Sequence, residues 1–137
     1  MSAEQVFSIA NLLAAAAWLL LIVLPRPAWV TRIATGVVVP ALFAVAYVAI
    51  VGSQWGSSSG SFSSLAGVNA LFSNPWVLLA GWLHYLAFDL LVGTWEVRDA
   101  RERGMPHLLV VPCLALTFLF GPAGWLLYHG VRLGYRR

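Results

Sequence analysis

Apolar residues run in four long blocks, separated by short polar or proline-marked segments. The first, near residues 5–24, stops at Pro25-Arg26-Pro27, and the second, near 32–51, gives way to a Ser/Gly-rich stretch. The third, near 75–97, opens after Asn74, and the fourth, near 107–130, follows Arg101-Glu102-Arg103-Gly104-Met105-Pro106. About twenty apolar residues are what a helix needs to cross the hydrocarbon core of a bilayer. Backbone groups cannot face lipid unpaired, so each block must be a helix. The pattern predicts an all-α fold, an integral membrane four-helix transmembrane bundle, with residues 1–137 as a single transmembrane domain. Pro25 and Pro27 end the first helix, because proline lacks the amide hydrogen and clashes with the preceding turn. The short links after the first and third helices make each joined pair antiparallel neighbours.

Composition narrows the class further: 61% of the chain is hydrophobic and only 9% is charged. The first block is expected to be retained rather than cleaved, since it carries Glu4, lacks a leading basic residue and has no small-residue cleavage site. Between Gly52 and Asn74 the chain is rich in Gly and Ser, yet Trp55, Phe62, Leu65, Leu71 and Phe72 are spaced through it. A plain spacer would not need those side chains. This connection is expected to fold back over the mouth of the bundle, with Trp55 and Phe62 at the membrane interface. Asn74 then caps the third helix, and Pro75 takes its first position.

All eight basic residues are arginines, and they flank the predicted spans. With four crossings, Arg26, Arg32, Arg98, Arg101 and Arg103 share one side, while Arg132, Arg136 and Arg137 fall on the other. The uncharged connection around Ser53–Ser73 is easily translocated, so the expected orientation has both termini non-cytoplasmic. No basic stripe with interleaved aromatics points to nucleic acid; the positive charge fits membrane flanks and anionic headgroups. Cys113 is the sole cysteine, which leaves no intramolecular disulfide or CxxC pair and predicts a buried structural thiol.

The third block holds the residues that most need explaining: His84, Asp89 and Glu96 within an otherwise apolar run. An ionisable group deep in a membrane is tolerated where it faces protein, finds a partner or serves a ligand or proton path. On an ideal helix Trp82, Asp89 and Glu96 lie within about 40° of one another, with Tyr85 close to the same stripe, and His84 points about 140° away from Asp89. His84 is about 13 Å into its helix, and the alternating directions bring Asn11 and Tyr47 to a similar level. Asn11, Tyr47, His84 and Asp89 are therefore expected to line one cavity beneath the long connection, bounded by Trp18 or Trp82. The rival reading of Asp89 is a buried carboxyl satisfied by Tyr85 or by another helix. Glu96 and His107 are expected to pair across the opposite mouth. A metal site built from His84, Asp89, Glu96, His107 and His129 is disfavoured because depth spreads the histidines along the bundle, so no metal is expected. Gly121-Pro122-Ala123-Gly124 predicts a kink or break in the fourth helix, which would widen the bundle on the long-connection side. Trp125, with Trp18 and Trp82, could then supply flat apolar walls.

Leu24-Pro25, the block Gly81-Trp82-Leu83-His84-Tyr85-Leu86-Ala87-Phe88-Asp89-Leu90-Leu91-Val92-Gly93, and Gly121-Pro122-Ala123-Gly124 followed by Tyr128 together resemble the abscisic-acid-deficient-4-like family of small four-helix membrane proteins. The resemblance covers essentially the whole chain, and the central block is its specific part. Plant members are associated with making neoxanthin from violaxanthin, an isomerisation that opens an epoxide and creates an allene without a redox cofactor. The resemblance thus implies a cofactor-free carotenoid isomerase or a relative acting on another isoprenoid polyene. An acid would protonate the epoxide oxygen while a base removes a carbon-bound proton; Asp89 and His84 are the catalytic candidates. Asn11, Trp18, Tyr47, Trp82, Tyr85 and Trp125 are the substrate-binding candidates. The chain lacks an Arg- or Ser-rich transit segment, which suggests a bacterial inner membrane rather than a plastid.

Two other readings fit the same residues. One is an accessory membrane protein that holds a carotenoid or lipid without converting it, and the other is a proton-coupled carrier using Asp89. The expected partners are membrane lipids, a polyene ligand and a second copy of the chain as a homo-oligomer.

Overall fold

The computed structural model describes residues 1–135; Arg136 and Arg137, part of the tail used in the charge argument, lie outside them. Helix α1 (Ala3–Val23) starts at a capping box, in which the Ser2 hydroxyl accepts from the Gln5 amide and the Gln5 side chain accepts from the Ser2 amide. Its buried positions, Ala10, Ala14, Ala17, Trp18 and Leu21, recur at helical spacing and form one stripe. Three alanines in that stripe let neighbouring helices approach closely, the usual device where lipid supplies no hydrophobic drive between helices. After the Pro25-Arg26-Pro27 turn, α2 covers Val30–Gln54. Its first part, Val30–Val38, is π-helical, and Thr35 returns its hydroxyl to the Val30 carbonyl at 3.0 Å. Thr94 donates across to Thr35 at 2.9 Å, a buried polar link between α2 and the helix beside it.

The long connection contains a short helix, α3 (Leu65–Phe72), started by the Ser64 hydroxyl accepting from the Gly67 amide. Periodicity did not distinguish this eight-residue element. Asn74 begins α4 (Pro75–Glu102) as expected, its side-chain oxygen accepting from the Trp76 amide. The Asn74 amide also donates to Gln54 and Ser58, which pins the connection over this end of the bundle. Helix α4 touches every other helix and forms the centre of the fold. Helix α5 covers His107–Gly134. The architecture is the expected all-α bundle, with α1, α2, α4 and α5 each long and apolar enough to cross a membrane.

The fourth of these helices departs from a straight rod. Phe120 has φ −144° and ψ 49°, outside helical values, and the chain reverses there. The first arm of α5 runs from His107, whose ring bonds the Ile22 carbonyl at the end of α1, up to Phe118, whose carbonyl accepts from Tyr85. The second arm runs back: Gly121 lies against Asp89, Tyr128 bonds Asp99, and Tyr135 bonds the Gly104 carbonyl. Both ends of α5 thus lie at the arginine-bearing end, and the tip sits opposite the middle of α4.

Two residue types explain the reversal. Pro122 has no amide for the Phe118 carbonyl four residues earlier, and the Tyr85 hydroxyl takes that carbonyl instead, at 2.9 Å. A Cβ on Gly124 would fall onto the backbone of Thr117, so only glycine lets the two arms touch there. The sequence located this break, but its expected consequence needs correction. Arg132 and Tyr135 stand with Arg101 and Gly104 rather than at the end with the N-terminus.

Candidate functional site

Bending α5 back leaves the half of the bundle near the long connection without a fourth helix, and two cavities occupy that half. The larger, about 690 Å³, lies beneath the long connection. Trp55, Phe62, Leu71 and Phe72 supply its apolar walls, and Gln54, Ser58, Ser61, Tyr47 and His84 its polar groups. The rings of Tyr47 and His84 stand 5.8 Å apart, and Phe88 also packs against the imidazole at 4.7 Å. Trp55 and Phe62 are strongly exposed as well as lining the cavity, as the interfacial reading of the connection expects.

The second cavity, about 490 Å³, is a groove between α1 and α4 lined by Phe7, Leu78, Trp82 and Tyr85 among others. Phe72 divides it from the first. The Phe72 ring occupies the space a side chain at residue 81 would take, which is why Gly81 borders both. Asn11 accepts from the Trp82 indole at 2.8 Å, tying α1 to α4 beside this groove.

The expected single cavity is therefore divided. Tyr47 and His84 come together. Asn11 joins Trp82 instead, and Tyr85 lies in the groove one turn away, its ring 5.2 Å from Trp82. Asp89 lines neither cavity. It faces the tip of the α5 hairpin, where a Cβ on Gly121 would collide with its carboxyl group, and its Oδ2 is buried without a hydrogen-bond partner among the described residues. The five-residue spacing already separated His84 from Asp89 by face, and the returning arm of α5 closes off the Asp89 face.

Trp18 is buried against Phe118 and Gly93 in the core, away from both cavities. Trp125 lies on the returning arm with its ring 4.0 Å from His129, and so does not wall the space near Asn11 and His84. Both departures follow from the hairpin, which carries residues 121–135 toward the arginine end.

Glu96 and His107 do not pair. Glu96 is fully buried and accepts from the Thr117 hydroxyl at 3.0 and 3.2 Å, while His107 donates to the Ile22 carbonyl. Thr117, on the first arm of α5, meets Glu96, a partner the sequence reading missed because hydroxyls in apolar runs give little signal. Also missed was the cluster around Asp99. Tyr128 donates to its Oδ2 at 2.7 Å, Arg103 lies at 2.8 Å and Arg132 at 3.5 Å. Cys113 is fully buried and donates to the Leu109 carbonyl. His129 is sandwiched between Trp95 and Trp125 rather than placed at the long-connection mouth. Among the described residues no three His, Cys, Asp or Glu side chains are grouped as metal ligands.

Chemically, the cavity beneath the connection combines a phenol, an imidazole, an amide and serine hydroxyls with aromatic walls. That set can hold one oxygen-bearing ring of an otherwise apolar molecule, with the imidazole able to move a proton. In comparison with known families, the model of the ABA DEFICIENT 4-like family matches residues 5–128. No curated protein and no solved structure matches the chain.

Proposed function

Because the chain belongs to the ABA DEFICIENT 4-like family, we propose that it is a membrane-embedded protein that takes up the oxygenated end group of a carotenoid or related isoprenoid polyene in the cavity beneath the long connection. The observation that carries this is the Tyr47–His84 pair within a cavity of about 690 Å³ that is otherwise largely aromatic and aliphatic. Ligand sites of roughly 300–1,000 Å³ typically combine apolar walls with a few placed polar groups. A cyclic end group fits such a site, and the polyene chain would continue along the apolar helices into lipid.

The chemistry the family resemblance implies is epoxide opening. The Tyr47 hydroxyl would donate to the epoxide oxygen as its C–O bond breaks, and His84 would remove the carbon-bound proton that lets the double bond form. Protons are exchanged but electrons are not, so the reaction is an isomerisation. In this reading His84 keeps its catalytic role and Tyr47 takes the place first given to Asp89. Asp89 becomes a positioning group that holds the hairpin tip under the site.

Production in a carotenoid-forming bacterial host, with pigments separated by chromatography and mass spectrometry, tests both parts. The expected result is a new isomer of unchanged mass, lost in His84→Ala and strongly reduced in Tyr47→Phe while pigment still co-purifies. Stoichiometric pigment without any isomer in the wild-type protein would instead favour the accessory binding role, to which the aromatic lining of the cavity also lends itself. Absence of both from a representative set of carotenoids would overturn the proposal.

The hairpin also changes the orientation we propose. Among the described residues, Arg26, Arg32, Arg98, Arg101, Arg103 and Arg132 all lie at one end, and the end with the long connection has none. The positive-inside rule supports a cytoplasmic arginine end, with the N-terminus and long connection outside and Tyr135 inside.

A further inference from the structure

At the arginine end a cleft of about 320 Å³ lies between the α1–α2 turn and the α4–α5 turn. Arg26, Arg101 and His107 line it, and no carboxylate does. This distinguishes it from the neighbouring Asp99 cluster, where Arg103 and Arg132 are both within ion-pair distance of one carboxyl group. Arg101 is held in place by donating one nitrogen to the carbonyls of Pro25 and Arg26, and its remaining N–H groups have no partner among the described residues. The Arg26 guanidinium makes no hydrogen bond or ion pair among the described residues. His107 donates from Nε2 to the Ile22 carbonyl at 2.9 Å, which fixes the ring at the edge of the cleft. His107 is the first residue of α5, so the start of that helix borders the cleft, although its Leu109 amide is already bonded to the Pro106 carbonyl at 3.0 Å.

We propose that this cleft binds the phosphate of an anionic lipid headgroup. The donors above match a phosphate in charge and geometry, since guanidinium groups pair with its oxygens through parallel N–H bonds. A lipid rather than a soluble anion is indicated by what lies beside the cleft. Val23 and Leu24 at the end of α1, and Leu108 and Leu109 at the start of α5, are exposed apolar side chains at the same level. They offer a surface for acyl chains next to the phosphate donors. Basic pockets between helices at the cytoplasmic side are where anionic headgroups are held. The site is separate from the polyene cavity at the other end and does not depend on that reading.

Native mass spectrometry of the purified full chain in neutral detergent, titrated with phosphatidylglycerol, phosphatidylcholine or inorganic phosphate, tests the assignment. Phosphatidylglycerol is expected to bind at concentrations at least tenfold below phosphatidylcholine. Arg26→Gln should weaken it about fivefold, the effect of one arginine at a membrane surface. Arg32→Gln, an exposed arginine at the same end that does not line the cleft, should change it by less than about twofold, as a diffuse contributor. The Arg26 side chain has no hydrogen bond or ion pair to lose among the described residues, so its variant is expected to fold. Equal loss in both variants would overturn the site in favour of diffuse attraction. No preference between the two lipids would overturn the headgroup assignment, and displacement of phosphatidylglycerol by millimolar inorganic phosphate would overturn the lipid in favour of a free anion.

Discussion

Gly124→Ala probes the hairpin at the point where its arms meet. An added Cβ would overlap the amide nitrogen, Cα and hydroxyl of Thr117. Two of those atoms belong to the backbone and cannot rotate away, so the arms must part. Overpacking of this kind costs about 1–3 kcal/mol. Moving Thr117 also weakens its bond to Glu96, a class of interaction worth on average ~0.6 and at most ~1.7 kcal/mol in membrane bundles. Against this, alanine gains up to about 1 kcal/mol over glycine in helix propensity. The sum is a net destabilisation of about 1–3 kcal/mol. Gly130→Ala is the matched control: nothing lies within 4 Å of its added Cβ, so propensity alone acts and the variant should be neutral or stabilised by up to about 1 kcal/mol. Reversible unfolding in mixed detergent micelles, followed by circular dichroism, would measure the difference. Spin labels at positions 102 and 133 would report whether the returning arm has swung away. If both alanine variants stabilise equally, Thr117 and Gly124 are not in contact and the reversal at Phe120 is wrong.

Tyr85→Phe should destabilise the protein by about 1–2 kcal/mol, because it strips the donor from the Phe118 carbonyl that Pro122 already leaves without an amide; a neutral effect in the same unfolding assay would show that the carbonyl has another donor. For orientation, cysteines placed singly at Ser63 and Glu102 in a Cys113→Ala background should label from opposite faces in intact cells, with residue 63 reached by a membrane-impermeant maleimide and residue 102 protected. A reporter fused after Arg137 should be active only when cytoplasmic. Labelling of both cysteines from outside, or an externally active reporter, would refute the proposed orientation.

Helix positions were largely readable from the chain because the bilayer leaves few options. A long apolar block must pair its own backbone groups, and prolines and capping residues such as Pro25, Pro27 and Asn74 mark where it can stop. Family membership was readable too, because the block from Gly81 to Gly93 is carried by side chains rather than by their arrangement. Level along the axis placed Tyr47 near His84, since rise per residue is fixed and the helix directions alternate.

Lateral arrangement was decided only by the tertiary structure. Gly121-Pro122-Ala123-Gly124 announces a break, but the angle of a break depends on what receives the freed groups. Here Tyr85 takes the Phe118 carbonyl, Thr117 accommodates Gly124, and Asp89 fits against Gly121. Those contacts reverse the helix, and the reversal reassigns the partners beyond it: Tyr128 and Arg132 meet Asp99, and Trp125 is carried away from His84. Helical phase is local and survives in the sequence. Contacts between segments distant along the chain depend on that one turn, whose direction is set by packing that no single segment contains.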